Sequence, residues 1–256
     1  MTLPILLCSF LITPHGNCSL DAANSYISRG KIIEDRMMLK NKVEASVDVD
    51  RFGTVGVWNW DISSLTGRKQ HSHSRFMFEF DSAVFYEYKW RFAEGWALRS
   101  RVTSEWLVFP TYREYSAHGY EWDFEQELGN PYLTPYYRIR RTIRSSIPWT
   151  YYLIGVKHSF AASDSFSIVP ALMIDFADKH GMKKRYGALA DPDEHYLPGA
   201  MSLMSELQFI YKITDCLKLR ATVGEFSLVN KRARAQTGAW QLRDSVYWSV
   251  GAVLSF

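Results

Sequence analysis

Residues 75–92 read RFMFEFDSAVFYEYKWRF, and the two alternating sets of positions in this stretch differ in polarity. Eight of the nine even positions are apolar or aromatic, and six of the nine odd positions are charged. A helix would spread these charges around its circumference, whereas a β-strand places every even residue on one face. The stretch therefore predicts one strand of 18 residues, far longer than the usual strand of about five or six.

The same alternation recurs along most of the chain. The predicted strands are 42–50, 55–63, 75–92, 96–108, 120–128, 132–142, 149–160, 166–176, 201–212, 217–223 and 245–256. Short connections around Gly95, Gly129, Ser163 and Asp215 alternate with longer polar ones at 63–74, 110–119, 142–148, 177–199 and 230–244. Hairpins with one short-turn rim and one long-loop rim are typical of barrels in bacterial outer membranes.

We therefore predict an all-β fold, a closed antiparallel up-and-down transmembrane β-barrel of 10–12 strands over residues 42–256. Hydrocarbon offers no partner for a free backbone N–H or C=O, so the sheet has to close on itself. Bacterial single-chain barrels have even strand numbers, and the pattern shows eleven. Either 42–63 is one strand bulged at Gly53 or Gly56, giving ten, which we favour, or a strand lies before Lys42, giving twelve.

The apolar face of these strands is predicted to face lipid. A soluble lipocalin-like barrel has the opposite arrangement, and period two alone does not separate the two. The acidic face from Glu121 to Glu127 favours a wet lumen, because the next strand can set Arg138 near Asp123 and Arg140 near Glu121. Tryptophans near strand ends suit interface girdles, namely Trp90, Trp96, Trp106, Trp149 and Trp248.

The N-terminus resembles an export signal. Residues 3–12, LPILLCSFLI, are too short an apolar run to span a bilayer as a helix but fit the core of a signal peptide. We assign 1–23 to a signal peptide and 24–41 to an N-terminal periplasmic segment, with a buried first strand or helix as the alternative for 3–12. Lipidation of Cys18 is a further alternative, and Cys216 is expected to form no disulfide.

The candidate functional residues are the charges predicted to point into the lumen. They are Glu79, Glu87, Lys89, Arg91, Arg99, Arg101, Glu105, Glu121, Asp123, Glu125, Glu127, Arg138, Arg140, Lys157, Asp175, Glu206, Lys218 and Arg220. Both signs occur in similar number, so we expect weak ion selectivity at most. A barrel of this size is narrow, and the charges either line a pore or fill it as a salt-bridged core.

Other chemistry is weakly signalled. The chain has no G-x-S-x-G, P-loop or C-x-x-C motif, and His71-Ser72-His73 supplies only two metal ligands. We expect no enzyme activity, catalytic residue, cofactor or metal. The net charge of +3 without a basic block argues against nucleic acid as a partner.

Several segments resemble TorF-type porins and their relatives among outer-membrane β-barrel proteins. They are KVEASVDVD (42–50), GVWNWDIS (56–63), EWDFEQEL (121–128), NPYLTPYYRIRR (130–141) and VYWSVGAVLSF (246–256). The resemblance implies a passive pore or envelope protein, with no catalytic residue to carry over. Those relatives carry an extra hairpin strand where only Arg51 to Thr54 intervenes here.

The last strand resembles the assembly signal of such proteins, which would lie in Trp248, Val250, Ala252, Leu254 and Phe256. The predicted function is porin-like passage of small polar solutes through a narrow charged lumen in the bacterial outer membrane. Its partners would be the lipid bilayer and the outer-membrane assembly machinery. The alternatives are an envelope scaffold with a plugged lumen, a membrane-embedded hydrolase and a soluble lipocalin-like binder.

Overall fold

The chain folds into one closed antiparallel β-sheet. The computed structural model describes residues 12–65, 77–108, 118–143, 148–187, 198–230 and 242–256. His71 and His73 lie outside these ranges. The twelve barrel strands are β1 Ile12–Ala23, β4 Met38–Val49, β5 Thr54–Ser64, β6 Met77–Ala93, β7 Trp96–Val108, β8 His118–Gly129, β9 Thr134–Thr142, β10 Thr150–Lys157, β12 Phe166–Ala177, β13 Gly199–Lys212, β14 Leu217–Leu228 and β15 Ser245–Ser255.

Short elements complete the described structure. They are β2 Tyr26–Ser28, β3 Lys31–Glu34, β11 Phe160–Ala161, α1 Lys179–Met182, a 3₁₀ turn Asp50–Phe52 and a π-helical turn Lys183–Gly187. Strands β2 and β3 form a separate two-stranded hairpin, and β11 continues the line of β10 beside β12. No helix in the described ranges is long and apolar enough to cross a membrane.

Each barrel strand pairs with its neighbour in the chain, and β1 pairs with β15 to close the ring. The strand number is twelve, so the favoured count of ten is wrong. Residues 42–63 do not form one bulged strand, because the 3₁₀ turn and Gly53, at a φ of +91°, fold β4 back against β5. The twelfth strand lies before Lys42, as the second assignment required.

Residues 12–37 differ from their expected assignment, and residues 1–11 lie outside the described ranges. Ile12–Ala23 is a barrel strand hydrogen-bonded on both edges, to β4 and β15, although we assigned it to a signal peptide ending at residue 23. Residues 24–37 connect β1 to β4 at the long-loop rim, whereas we placed 24–41 as a segment on the periplasmic, short-turn side. The apolar run at 3–12 dominated the sequence signal, while β1 alternates weakly and contains Pro14 and Gly16.

The outer surface of the barrel is apolar, as predicted. Exposed side chains on the outward faces include Val84, Trp90, Phe92, Trp106, Ile154, Val246 and Val250. Trp90, Trp106 and Trp248 lie outward near strand ends and suit an interface girdle. Trp149 is an exception to that prediction, because it is 3% exposed inside the barrel.

Strand β1 meets the end of β15 at the short-turn rim. Gly16 and Phe256 exchange two backbone hydrogen bonds, with N···O distances of 2.7 and 2.9 Å. A Cβ on Gly16 would lie 2.2 Å from the Phe256 ring, so only glycine leaves room for the terminal ring to cover β1. The last residue of the chain thus forms part of the closing seam.

Candidate functional site

The strand registers put the eighteen candidate lumen charges in phase with the inner face, and most of them contact other inward side chains. For Lys89, Arg91 and Lys218 the inward direction follows from strand alternation alone. The same interior contains charges absent from that set, namely Asp21, Lys40, Lys42, Glu44 and Asp81. The alternation of KVEASVDVD already placed Lys42 and Glu44 opposite its valines and could have included them. Asp21 was missed because β1 was read as a signal peptide.

The inner faces of β6 to β9, which we call the charged wall, form a ladder of ion pairs. Asp123 faces Arg140, and Glu125 faces Arg138, across β8 and β9. The expected neighbours are also in contact, diagonally, with Arg138 Nε 3.0 Å from Asp123 Oδ2 and Arg140 Nη1 3.5 Å from Glu121 Oε2. The direct partners differ by two positions from the expected ones, because the connection between β8 and β9 runs over four residues, 130–133.

Two arginines hold most of this ladder. Arg140 lies 3.0 Å from Glu105, 2.8 Å from Asp123 and 3.5 Å from Glu121, all of which are buried. Nearer the short turns, Arg99 contacts Glu87, Glu125 and Glu127. Buried charges of both signs are stable only when each is answered by a partner, so removal of one guanidinium would leave several carboxylates uncompensated.

Residues 24–37, which we call the inner hairpin, cross the lumen near the long-loop rim. Tyr26 packs edge-on against Trp60 of β5, with ring centroids 5.8 Å apart. Arg29 at the hairpin tip makes a bidentate ion pair with Glu121 of β8. Ile32 is fully buried among side chains of β10 to β14. The inner hairpin therefore contacts the inside of the barrel on several sides, at β5, at β8 and at β10 to β14.

The tip of the inner hairpin is a two-residue turn with both residues in the left-handed region, Arg29 at a φ of +49° and Gly30 at +77°. Such turns match the twist of a hairpin but favour glycine or asparagine over arginine at the first position. The ion pair with Glu121 offsets that conformational cost. Burial is the largest single influence on Arg29 and lowers its pKa, but the charge and hydrogen bonds of Glu121 together with the charge of Glu105 raise the pKa overall, which keeps the guanidinium charged.

Trp149 lies between two guanidinium groups. Arg29 and Arg185 lie 5.4 and 5.3 Å from the Trp149 ring, within the range of cation–π contacts. Burial, together with the positive charge of Arg29, lowers the pKa of Arg185 to about 10. Arg185 and Arg29 come from different long connections, so this indole joins the inner hairpin to the segment that follows β12.

An apolar cluster fills the lumen beside the inner hairpin. Its members are Ile32, Trp149, Tyr151, Ala177, Met182, Met201, Phe226, Leu228 and Leu242. Met182 enters it from α1. Asp178 caps the N-terminus of α1, and its carboxylate accepts hydrogen bonds from the N–H groups of Gly181 and Thr150 at 2.7 and 2.8 Å. Sequence alternation missed this cluster, because it predicted a polar inner face all round the barrel.

The two ends of the lumen therefore differ. Near the long-loop rim, Asp175, Glu121, Asp81 and Glu105 are at most 2% exposed, so the space between strands is filled. Near the short turns, a recess of about 410 Å³ opens between β6, β7 and β8, and we call it the basic recess. It is lined by Lys89, Arg91, Trp96, Arg99, Glu127 and Asn130, among others. Among the described residues, no group of three or more His, Cys, Asp or Glu is placed to hold a metal ion.

These features define a class of protein. A ring of twelve strands with an apolar outside and a charged inside satisfies its backbone hydrogen bonds internally and presents lipid with a matching surface. The chain is an outer-membrane β-barrel, as predicted. The soluble lipocalin-like alternative requires the opposite polarity and is excluded by the exposed apolar stripe.

Comparisons with known proteins agree with this class. The fold is similar to that of the NanC porin, with a TM-score of 0.53 and 8% identity, covering 93% of this chain and 98% of that one. It is also similar to the KdgM porin in complex with disordered oligogalacturonate, with a TM-score of 0.51 and 11% identity, covering 94% and 99%. No family model matches the chain. No curated protein matches it either. The porin likeness shows the fold.

Proposed function

We propose that this protein is a porin-like channel for small polar solutes whose long-loop end is closed by the inner hairpin. The single observation that carries the proposal is the arrangement of the lumen. A continuous charged wall leads from an open recess at the short turns to a hairpin that crosses the barrel. A solute passes only when the inner hairpin moves out of the lumen.

The contacts of the inner hairpin support a closure that can be reversed. At the tip, Arg29 pairs with Glu121 of the charged wall, and near the base Tyr26 packs against Trp60 of β5. Glu121 keeps other partners when Arg29 leaves, namely Arg140 and the Thr142 hydroxyl, which donates at 2.7 Å. The wall is therefore not left with an unpaired carboxylate when the tip of the hairpin departs.

The test is conductance in a planar bilayer with the purified full-length protein. The wild type should show brief, rare openings, and Arg29→Asn should lengthen or multiply them, because the anchor is lost without adding strain to the turn. Thermal stability of both proteins, measured in the same detergent, shows whether the barrel remains folded. A folded Arg29→Asn protein without any conductance step at any voltage would remove the transport proposal.

A second candidate function is an envelope scaffold with a permanently plugged lumen. The apolar cluster favours it, because eight described side chains, each at most 6% exposed, pack with Ile32 of the hairpin in the lumen. The two candidates differ in one measurement. A disulfide introduced between hairpin and wall would abolish the openings of a channel and restore them on reduction, whereas a scaffold would conduct in neither state.

We also propose that the chain acts without catalysis, is inserted by the outer-membrane assembly machinery through its last strand, and is a distant relative of the TorF-type porins. The resemblance of its segments to that family supports the last point, and the exposed aromatic Phe256 at the seam supports the second. The membrane-embedded hydrolase alternative has no support in the contacts of the described residues. Replacing VYWSVGAVLSF by a non-aromatic strand and measuring insertion tests the assembly role.

A further inference from the structure

The charged wall follows one rule of pairing and departs from it at the basic recess. At several positions of the wall a charge faces the opposite charge across neighbouring strands, as Glu87 faces Arg101 and Asp123 faces Arg140, and where two like charges face each other a neighbour compensates them. At the recess, Lys89 faces Arg99 directly. Like charges opposite each other in a sheet are destabilising, so this position lowers the stability of the empty barrel.

Other facing pairs of like charge are compensated by neighbours. Glu105 faces Glu121, and Arg140 lies within 3.5 Å of both. Lys212 faces Lys218, and Lys212 pairs with Asp215 at 2.6 Å.

At the recess, only Arg99 of the facing pair Lys89 and Arg99 has carboxylates in contact with it. The carboxylates Glu87, Glu125 and Glu127 contact Arg99, and Lys157 also takes Glu127 at 2.6 Å. Among the described residues, neither Lys89 nor Arg91 has an ion-pair partner.

We propose that the basic recess binds a small organic anion with two or more oxyanion groups, such as a polycarboxylate or an organic phosphate. Lys89, Arg91 and Arg99 all line the same space of about 410 Å³, which lies in the size range of small-molecule pockets. Guanidinium groups bind carboxylates and phosphates in a bidentate manner, and an ammonium adds a mobile point charge. A multivalent anion would remove the repulsion between Lys89 and Arg99. For this reason the site prefers a multivalent anion over chloride.

The rest of the lining limits which anions fit. Trp96 and Thr134 also line the recess, and the Asn130 amide beside them is held by hydrogen bonds to the backbone of Leu128, Tyr132 and Leu133. Glu127 on the same lining repels a second negative group placed beside it, so the anion binds with its charges toward β6 and β7. This site goes beyond the proposed function, because it is reached from the short-turn end without opening the inner hairpin.

The experiment is isothermal titration calorimetry of the full-length protein in detergent micelles, with citrate and inorganic phosphate as probes at low ionic strength. Wild-type protein should bind citrate saturably and more tightly than phosphate, and binding should weaken as salt rises. The double variant Lys89→Gln/Arg91→Gln should weaken citrate binding by at least about tenfold, a change of roughly 1.4 kcal/mol.

The matched control is Lys212→Gln/Lys218→Gln, which removes two facing cations from the short-turn rim outside the recess. Its affinity for citrate should stay within about threefold of the wild-type affinity. The two removed charges act on the recess only over a long distance, and salt screens that effect. Equal losses in both double variants would mean that the rim attracts anions through its overall charge, and would overturn the site. Absence of saturable citrate binding to wild type would overturn it as well.

The outcome is separable from that of the proposed function. Calorimetry in micelles requires no conducting path, so citrate binding by a protein that never conducts would retain the site and remove the channel. Conductance without citrate binding would retain the channel and remove the site.

Discussion

Near the long-loop rim, the inner surface of the barrel has two halves, one mostly charged and the other mostly apolar apart from Asp175. On the charged wall, β6 to β9 present carboxylates and guanidiniums in contact with one another. On the other side, β10, β12, β13 and β14 present Tyr151, Ala177, Met201, Phe226 and Leu228, which pack together. Both halves share the same strand alternation and the same apolar outside, so the difference lies only in the inward residues.

The inner hairpin shows why this difference matters. Ile32 of the hairpin is buried against the apolar half, and Arg29 of its tip reaches the charged wall. A wall charged all round would leave Ile32 without an apolar surface, and an apolar wall all round would bury Arg29 without a partner. The asymmetry of the lumen thus fixes both the position and the direction of the inserted segment.

The largest effect is expected where the charged wall loses its central cation. Arg140→Met should lower the free energy of unfolding by about 3–5 kcal/mol, because three buried carboxylates lose their shared partner. Urea titration of the protein in micelles, followed by the mobility of folded and unfolded forms on a gel, measures it. Arg141→Met is the control, since Arg141 is half-exposed on the outer face and its removal should change little. Similar losses in the two variants would contradict a buried ladder.

A smaller effect is expected on the apolar half. Ile32→Ala should weaken docking of the inner hairpin by about 3 kcal/mol through loss of packing and the resulting cavity. Single-channel recording should show more frequent openings, and limited proteolysis should cut the hairpin faster. Ile154→Ala, on the lipid-facing side, should leave both readouts unchanged. Faster cleavage in Ile154→Ala too would indicate general loosening of the barrel.

The ion pair at the tip should contribute less than the packing. Arg29→Asn should weaken closure by about 1.5–3 kcal/mol, the range for hydrogen bonds to charged groups, and open-channel time should rise accordingly. Arg243→Asn removes a cation that pairs with Asp35 at 3.1 Å on the exposed side, and it should have little effect. If Arg243→Asn opened the channel as much as Arg29→Asn, the anchor would lie outside the lumen.

The smallest effect concerns the boundary between the two halves. Gly155 of β10 lies beneath the Tyr136 ring of β9, and a Cβ there would stand 2.5 Å from the ring carbon Cζ. Gly155→Ala should push the ring toward the lumen, at a cost of about 1–2 kcal/mol, and lower the conductance of open channels. Gly199→Ala is the control, because nothing lies within 4 Å of its added Cβ. Unchanged conductance in a folded Gly155→Ala protein would show that Tyr136 does not border the path.

Sequence alternation determined much of the barrel. From Met77 onward the predicted strands match the observed ones within a few residues, and the short and long connections fall where they were expected. These features follow from local rules, since the side-chain period of two and the turn residues act over a few positions. Which charges point inward follows from the same local rule.

Tertiary structure alone decided how the barrel closes, where the inner hairpin inserts and which charged residues pair. Strand β1 has weak alternation and is fixed by ladders to β4 and β15, whose partners lie 15–37 and 226–238 residues away in the chain. The sequence of the inner hairpin indicates only a short pair of strands. Its position in the lumen depends on its contacts with the apolar half and with Glu121. The partners of Arg138 and Arg140 depend on a shift of two residues in the register between β8 and β9. Such features depend on contacts between distant segments, which a local pattern does not encode.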